Sequence, residues 1–129
     1  MIIADTDILI DYTSGVQPIT NRIAAYRQAQ QLQTTVINSF ELLSGAEGKK
    51  GDRIRLLLSA TPILLLDQEA AERAAELRRG LERKGEYIGM NDCLIAGIAL
   101  THNLPLVTRN RKHFGRVPDL KLIELEYKQ

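Results

Sequence analysis

Residues 1–10 read MIIADTDILI. An apolar run, Ile2-Ile3-Ala4, stops at two carboxylates, Asp5 and Asp7, and apolar residues resume at once with Ile8, Leu9 and Ile10. Strands of a parallel sheet covered on both faces read as continuous apolar runs. The opening therefore predicts a first strand over residues 2–5, then a short helix from Thr6 to about Thr13 that ends at Ser14-Gly15. Asp5 then stands at the carboxyl end of a buried strand, the edge where an open α/β sheet binds its ligands.

Outward from this stretch, short β-like runs alternate with helical patterns. Pro18 to about Leu32 reads as a helix, with Ile19, Ile23 and Tyr26 at helical spacing. Thr34 to Ile37 reads as a β-branched strand, and Asn38 and Ser39 as N-caps of a helix carrying Phe40, Leu42 and Leu43. Gly48-Lys49-Lys50-Gly51 is expected to be a loop before a helix from Asp52 to about Ser59. Ile63 to Leu66 is a third strand. Asp67 caps the clearest helix, to about Lys84, in which Ala70, Ala74, Leu77 and Leu81 share a face. After a loop over residues 85–89, Asn91 or Asp92 opens a helix apolar nearly all round, which Asn103 ends. Leu106-Val107 is a fourth strand, and a last one lies near residues 120–125. The expected fold is α/β: three layers, helix on sheet on helix, around a central, mainly parallel sheet of four to five strands.

The 129 residues are enough for one domain, residues 1–129, with a core that needs no staples. A single cysteine, Cys93, permits no internal disulfide, which fits a reducing compartment. The N-terminus has no basic segment before its apolar run, and no run is long enough to span a bilayer, so a cytoplasmic location is expected. Seventeen basic against sixteen acidic residues leave a net charge of +1, which argues against a protein that holds nucleic acid by bulk charge. Four Tyr, two Phe and no Trp make a base-stacking surface an unlikely design. Three local basic clusters stand out: Lys49, Lys50, Arg53 and Arg55; Arg78, Arg79, Arg83 and Lys84; and Arg109, Arg111, Lys112 and Arg116. Each by itself reads as a solvated face.

The polar residues gather at element junctions. Besides Asp5, Glu41 lies one turn into the helix after strand two, Asp92 starts the buried helix, and Thr108, Asn110 and His113 follow strand four. Taken singly, Asp5 or Thr6 is a helix cap, Asp92 another, Glu41 a solvated residue, and His113 a surface histidine on a capped loop. Together they matter more. Asp5 and Asp92 adjoin apolar segments, and a buried carboxylate needs a partner. Several carboxylates near one point repel unless a cation neutralises them. An all-oxygen cluster suits Mg²⁺ or Mn²⁺, whereas one Cys and two distant His offer no zinc spacing. Cys93 has no histidine base at reach and reads as a buried, inert thiol.

Four blocks, IIADTDILIDY with Asp5, VINSFELLSG with Glu41, NDCLIAGIAL with Asp92, and PLVTRNRKHF, resemble in order and spacing the PIN-domain nucleases. Among these they are most similar to the VapC-type toxins of prokaryotic toxin–antitoxin modules, and the resemblance covers essentially the whole chain. It implies a Mg²⁺- or Mn²⁺-dependent endoribonuclease, the toxin of a type II module. Asp5, Glu41 and Asp92 would be its catalytic, metal-holding acids, with Asp7 and Asn110 as further candidates. The metal would activate a water and steady the leaving oxygen. In-line attack would give 5′-phosphate and 3′-hydroxyl ends. Thr108 and Asn110 are candidate orienting groups, and Arg109, Arg111 and Lys112, directly flanking them, candidate contacts to the RNA backbone. The resemblance also implies an antitoxin that covers the acidic groove, and a homodimer. In one respect the chain departs from it: relatives often carry a further acid about where His113 stands. The alternatives are an RNA-processing or DNA-directed nuclease of the same fold, and a catalytically impaired binding module.

Overall fold

In the opening strand, β1 (Ile2–Ala4), the side chains of Ile2 and Ala4 enter one hydrophobic cluster and that of Ile3 enters another. A pleated strand turns successive side chains to opposite faces, so β1 is packed from both sides. The structure, a computed structural model, describes residues 1–125. After β1 come α1 (Thr6–Thr13), α2 (Ile19–Gln28), β2 (Leu32–Thr35), α3 (Val36–Ser44), α4 (Gly48–Ser59) and β3 (Ile63–Leu64). Then follow α5 (Gln68–Arg83), α6 (Met90–His102), β4 (Leu106–Val107), α7 (Arg111–Phe114) and β5 (Leu122–Ile123).

The five strands form one sheet in the order β3-β2-β1-β4-β5, and every described pairing is parallel. Ile8 and Leu9 of α1, Ile19 and Ile23 of α2, Leu42 of α3 and Ile54, Leu57 and Leu58 of α4 pack with Ile2, Ala4 and Val107. Leu81 of α5, Cys93, Ile95, Ala96 and Ala99 of α6 and Phe114 of α7 pack with Ile3 and Leu106. This is the three-layer α/β/α arrangement expected from the alternation of elements.

Several boundaries differ from the sequence reading, each for a local reason. Helix α2 stops at Gln28 rather than near Leu32, because Gln30 takes a left-handed φ of +57°. The Gln31 N–H then bonds the Tyr26 carbonyl at 2.8 Å and the Gln30 N–H that of Arg27 at 3.0 Å. That is the paired closure usually made with glycine, here made without one. Val36 and Ile37 belong to α3 and not to the second strand. Thr35 is the N-cap, its Oγ1 accepting from the Asn38 N–H at 3.2 Å, and this bond outweighs the β preference of the two branched residues. Gly48-Lys49-Lys50-Gly51 is the first turn of α4 and not a loop. Gly51 is there for close approach: a Cβ on it would lie 2.6 Å from the Ala46 carbonyl carbon. Gly89, at φ +97°, precedes α6, which begins at Met90. The block after β4 closes into the four-residue helix α7.

Helices α5 and α6 meet most tightly at Gly97, where an added Cβ would lie 2.8 Å from both the Ala70 carbonyl oxygen and the Ala74 methyl. Gly97→Ala gains helix propensity of about 1 kcal/mol, yet it must push two helices apart. Overpacking of this kind costs about 1–3 kcal/mol. Gly97→Val, with more to place, is expected to lower the urea midpoint further than Gly97→Ala, at unchanged slope; equal midpoints for parent and both variants would contradict this packing.

Candidate metal and active site

Strands β1 and β4 are neighbours although their starts, Ile2 and Leu106, lie 104 residues apart in the chain, and the sheet runs outward from them in both directions. The crevice beyond their carboxyl ends is the switch point at which such sheets bind ligands. Asp5 follows β1 and Thr108 follows β4, and both are buried. The Thr108 hydroxyl donates to Asp5 Oδ2 at 2.6 Å, joining the two strand ends. Asp5 Oδ1 accepts from the Thr6 N–H and from Asn38 Nδ2, each at 2.9 Å. Asp5 thus does cap α1, with one oxygen, while its other bonds run into the crevice.

The remaining acids join this network through neutral groups. Glu41, on α3, accepts from the Thr6 hydroxyl at 2.7 Å and from Asn91 Nδ2 at 3.3 Å. Asn38 Nδ2 also donates to the Thr6 hydroxyl, at 3.0 Å. Asp92, in the first turn of α6, meets His113 Nδ1 at 2.7 Å and Asn110 Nδ2 at 3.3 Å through Oδ2. The Asn110 N–H returns to the Thr108 hydroxyl at 3.0 Å. Asp5, Glu41 and Asp92, from three separate blocks of sequence, are therefore linked in one ring by Thr6, Asn91, Asn110 and Thr108. They are neighbours at one remove rather than a closed cage. Among the described residues, no three His, Cys, Asp or Glu side chains are grouped so that they could hold a metal ion as they stand.

Electrostatics says what the ring lacks. Burial pushes Asp5 up to about 6; the Thr108 hydrogen bond opposes this, and the negative charges of Asp7 and Asp92 add to it. Burial likewise raises Asp92, opposed by His113 and reinforced by the charge of Glu41. Each acid thus feels the next, and the whole cluster is short of positive charge. The donors are carboxylate, amide and hydroxyl oxygens, a set suited to a hard divalent cation.

Asp7 faces a different neighbour. Its Oδ2 accepts from the Arg109 N–H at 3.1 Å and lies 3.9 Å from Arg109 Nε, while its buried Oδ1 has no hydrogen-bond partner. Burial raises Asp7, opposed chiefly by Arg109. The Arg109 guanidinium is also 3.3 Å from the buried Asp11. Arg111 pairs with Glu124, and Lys112 is exposed. The other two basic clusters lie at exposed positions. Cys93 is a buried thiol, pushed up by burial.

Sequence reading missed Asn38 and Asn91 as members of the network, and treated Thr6 only as a cap. Asn38 offered a faint signal, an amide inside the apolar VINSFELL run three residues before Glu41. Asn favours a cap position, which is the simpler reading of that amide; in the structure it is fully buried.

The family model described as "PIN domain" matches residues 2–120. Ribonuclease VapC10 of Mycobacterium tuberculosis is 30% identical over 121 residues, spanning 94% of this chain and 91% of that protein. A chain in the crystal structure of VapBC2 from Rickettsia felis, bound to a DNA fragment from their promoter, superposes with a TM-score of 0.85. It is 30% identical and covers 98% of this chain and 100% of its own. A chain of a toxin–antitoxin complex from Klebsiella pneumoniae gives a TM-score of 0.76 at 29% identity, over 95% and 96% of the two chains.

The raised pKa of Asp5 has a measurable consequence. Its ordinary value is 3.8 and its folded value about 6. The folded state holds this proton more tightly, so the stabilisation is complete below about pH 4 and is lost as pH rises to about 6. That difference corresponds to about 3 kcal/mol at most. Asp5→Asn removes the titration. In EDTA, urea melts are expected to show Asp5→Asn more stable than the parent at pH 7.5, with the gap closing toward pH 4. A parent more stable than Asp5→Asn at pH 7.5 would contradict the burial of an unneutralised carboxylate.

Proposed function

This chain belongs to the PIN-domain family, and we propose that it is a metal-dependent endoribonuclease, the toxin of a type II toxin–antitoxin module, that cuts RNA phosphodiester bonds with a metal-activated water. The observation that carries this reading is the ring joining Asp5, Glu41 and Asp92 at the β1–β4 crevice. The likeness to a ribonuclease along almost the whole chain supports the same activity. Asp5, Glu41 and Asp92 would hold the cation, Mg²⁺ or Mn²⁺, with Asp7 and Asn110 as further candidates. When bound, it supplies a lowered pKa for an attacking water and charge stabilisation at the leaving oxygen.

The chain's own groups do the rest. Thr108, donating to Asp5, holds that carboxylate against the crevice. Asn110 ties Asp92 to the same loop, and its amide is assigned to orienting the substrate phosphate. Lys112 is exposed next to this loop and is assigned to the RNA backbone. Arg109 and Arg111 are assigned there too, and each shares its guanidinium with protein carboxylates. The expected products carry 5′-phosphate and 3′-hydroxyl ends.

The likeness to chains of toxin–antitoxin complexes supports a cognate antitoxin as partner. A second copy of the chain is a further assigned partner, and α3 offers it the exposed side chains of Phe40 and Leu43. We assign the whole of residues 1–129 to one nuclease domain and place it in the cytoplasm. No helix among the described residues is long and apolar enough to cross a membrane.

The test is to map cleavage ends in total RNA treated with purified, antitoxin-free protein and Mg²⁺ or Mn²⁺. Partners of metal ligands are worth about 10–100-fold, so losing a ligand in Asp5→Asn, Glu41→Gln or Asp92→Asn is expected to cost more than ~100-fold. Ends that persist equally in Asp5→Asn, or no ends at all from the parent, would overturn the reading. Metal should also stabilise the parent by about 2.7 kcal/mol at 100 times its dissociation constant, and leave the melting temperature of Asp5→Asn unchanged. Equal shifts in both would place the ion elsewhere.

A further inference from the structure

The block after β4 ends in a contact between His113 and Asp92. His113 lies on α7, whose N-cap is Asn110. Asn110 Oδ1 accepts from the His113 N–H and its Nδ2 donates to Asp92 Oδ2, both at 3.3 Å. These two bonds fix which way the amide faces. Turned over, it would set donor against donor at His113 and acceptor against acceptor at Asp92. Nδ1 of the His113 ring lies 2.7 Å from the same Asp92 oxygen. Asn110 Nδ2 also lies 3.1 Å from Nδ1, but the Asp92 contact is the shorter; two acceptors would repel at 2.7 Å, so the ring carries a proton on Nδ1 and donates it to Asp92.

Two donors from one short helix and its cap thus converge on Asp92 Oδ2. Among the described residues, no hydrogen bond engages Oδ1. Helix α7 is anchored separately, by Phe114, which is 1% exposed, whereas the His113 side chain is 37% exposed. The imidazole therefore contributes little to the core, and its shortest polar contact is with Asp92, the Asn110 amide nitrogen lying farther off at 3.1 Å from the same Nδ1.

We infer that His113 is a positioning residue for the metal site: by clamping Oδ2 it turns Asp92 Oδ1 toward the cation. This rests on the metal-dependent reading of the same crevice. The carboxylate has two equivalent oxygens and a free torsion. A donor on one of them removes that freedom before the ion arrives, and groups that hydrogen-bond ligating carboxylates are worth about 10–100-fold in metal affinity or activity. The clamp needs a donor two bonds from Cβ, where imidazole carries Nδ1. Asn carries Nδ2 at that position, and Gln does not.

Mn²⁺ binding without RNA, followed by electron paramagnetic resonance of the free ion, reads the effect apart from catalysis. His113→Ala and His113→Gln are expected to raise the Mn²⁺ dissociation constant by about 10–100-fold. His113→Asn should bind close to the parent, and melting temperatures in EDTA should be alike across the set. If His113→Ala does not fold, the Asn and Gln pair carries the comparison. A folded Ala or Gln variant that binds Mn²⁺ as tightly as the parent, or an Asn variant as weak as Gln, overturns the inference. Asp5→Asn separates the two levels. If it loses Mn²⁺ while His113→Gln does not, only the positioning role falls; if Asp5→Asn also binds like the parent, the metal reading of the crevice falls with it.

Discussion

The hydrogen bond from Thr108 to Asp5, at 2.6 Å, is the constraint on which the rest of the site depends. It joins the end of the first strand to the end of the fourth. Parallel pairing of Ile3 with Leu106 and Ala4 with Val107 sets the two strand ends side by side, so the next residue of each meets across the crevice. A slip of one residue in that register would exchange the layers into which Leu106 and Val107 pack and remove the contact. The same loop then places Asn110 and His113 against Asp92, and α1 places Thr6 against Glu41. The apolar core, by fixing the register, also arranges the acids.

The charge arrangement runs against stability. Asp5 is 6% exposed and answered by hydroxyl and amide donors rather than by a cation. Those donors satisfy its lone pairs and oppose the rise, yet burial still pushes its pKa up to about 6. Arg109 is near in sequence, yet its guanidinium is directed to Asp11 and Asp7. A basic side chain turned inward at Asp5 would neutralise the carboxylate and take the place proposed for a divalent ion. Keeping neutral donors around the acids leaves the cluster responsive to a divalent ion, the state in which burial and charge agree.

The layer order and the acidic positions were legible in the sequence, because both rest on strong local signals. Ile2-Ile3-Ala4 is apolar without a break, and a strand that ends in Asp5 has few other readings. Asp67 before an amphipathic run marked α5 within a residue of its start. What escaped had ambiguous or no local signal. Gln30 closes α2 in a conformation that glycine usually takes, so nothing at that position announced the end. Val36 and Ile37 favour strands by type and are helical because of a cap one residue earlier. At the site, the carboxylates stood out as charges at the edge of apolar runs. The amides of Asn38 and Asn91 did not, since their roles depend on partners 33 and 50 residues away. Helix α7 is one turn long, too short for a periodic pattern, and with it went the contact between His113 and Asp92.

The most direct measurement is anomalous diffraction at the manganese edge from crystals of the protein grown with Mn²⁺. One peak bounded by the carboxylates of Asp5, Glu41 and Asp92 is expected, with the side chains drawn in from their present neutral partners. No density there, from protein of the same preparation that cuts RNA in Mn²⁺, would contradict the assignment of this crevice as the metal-holding active site.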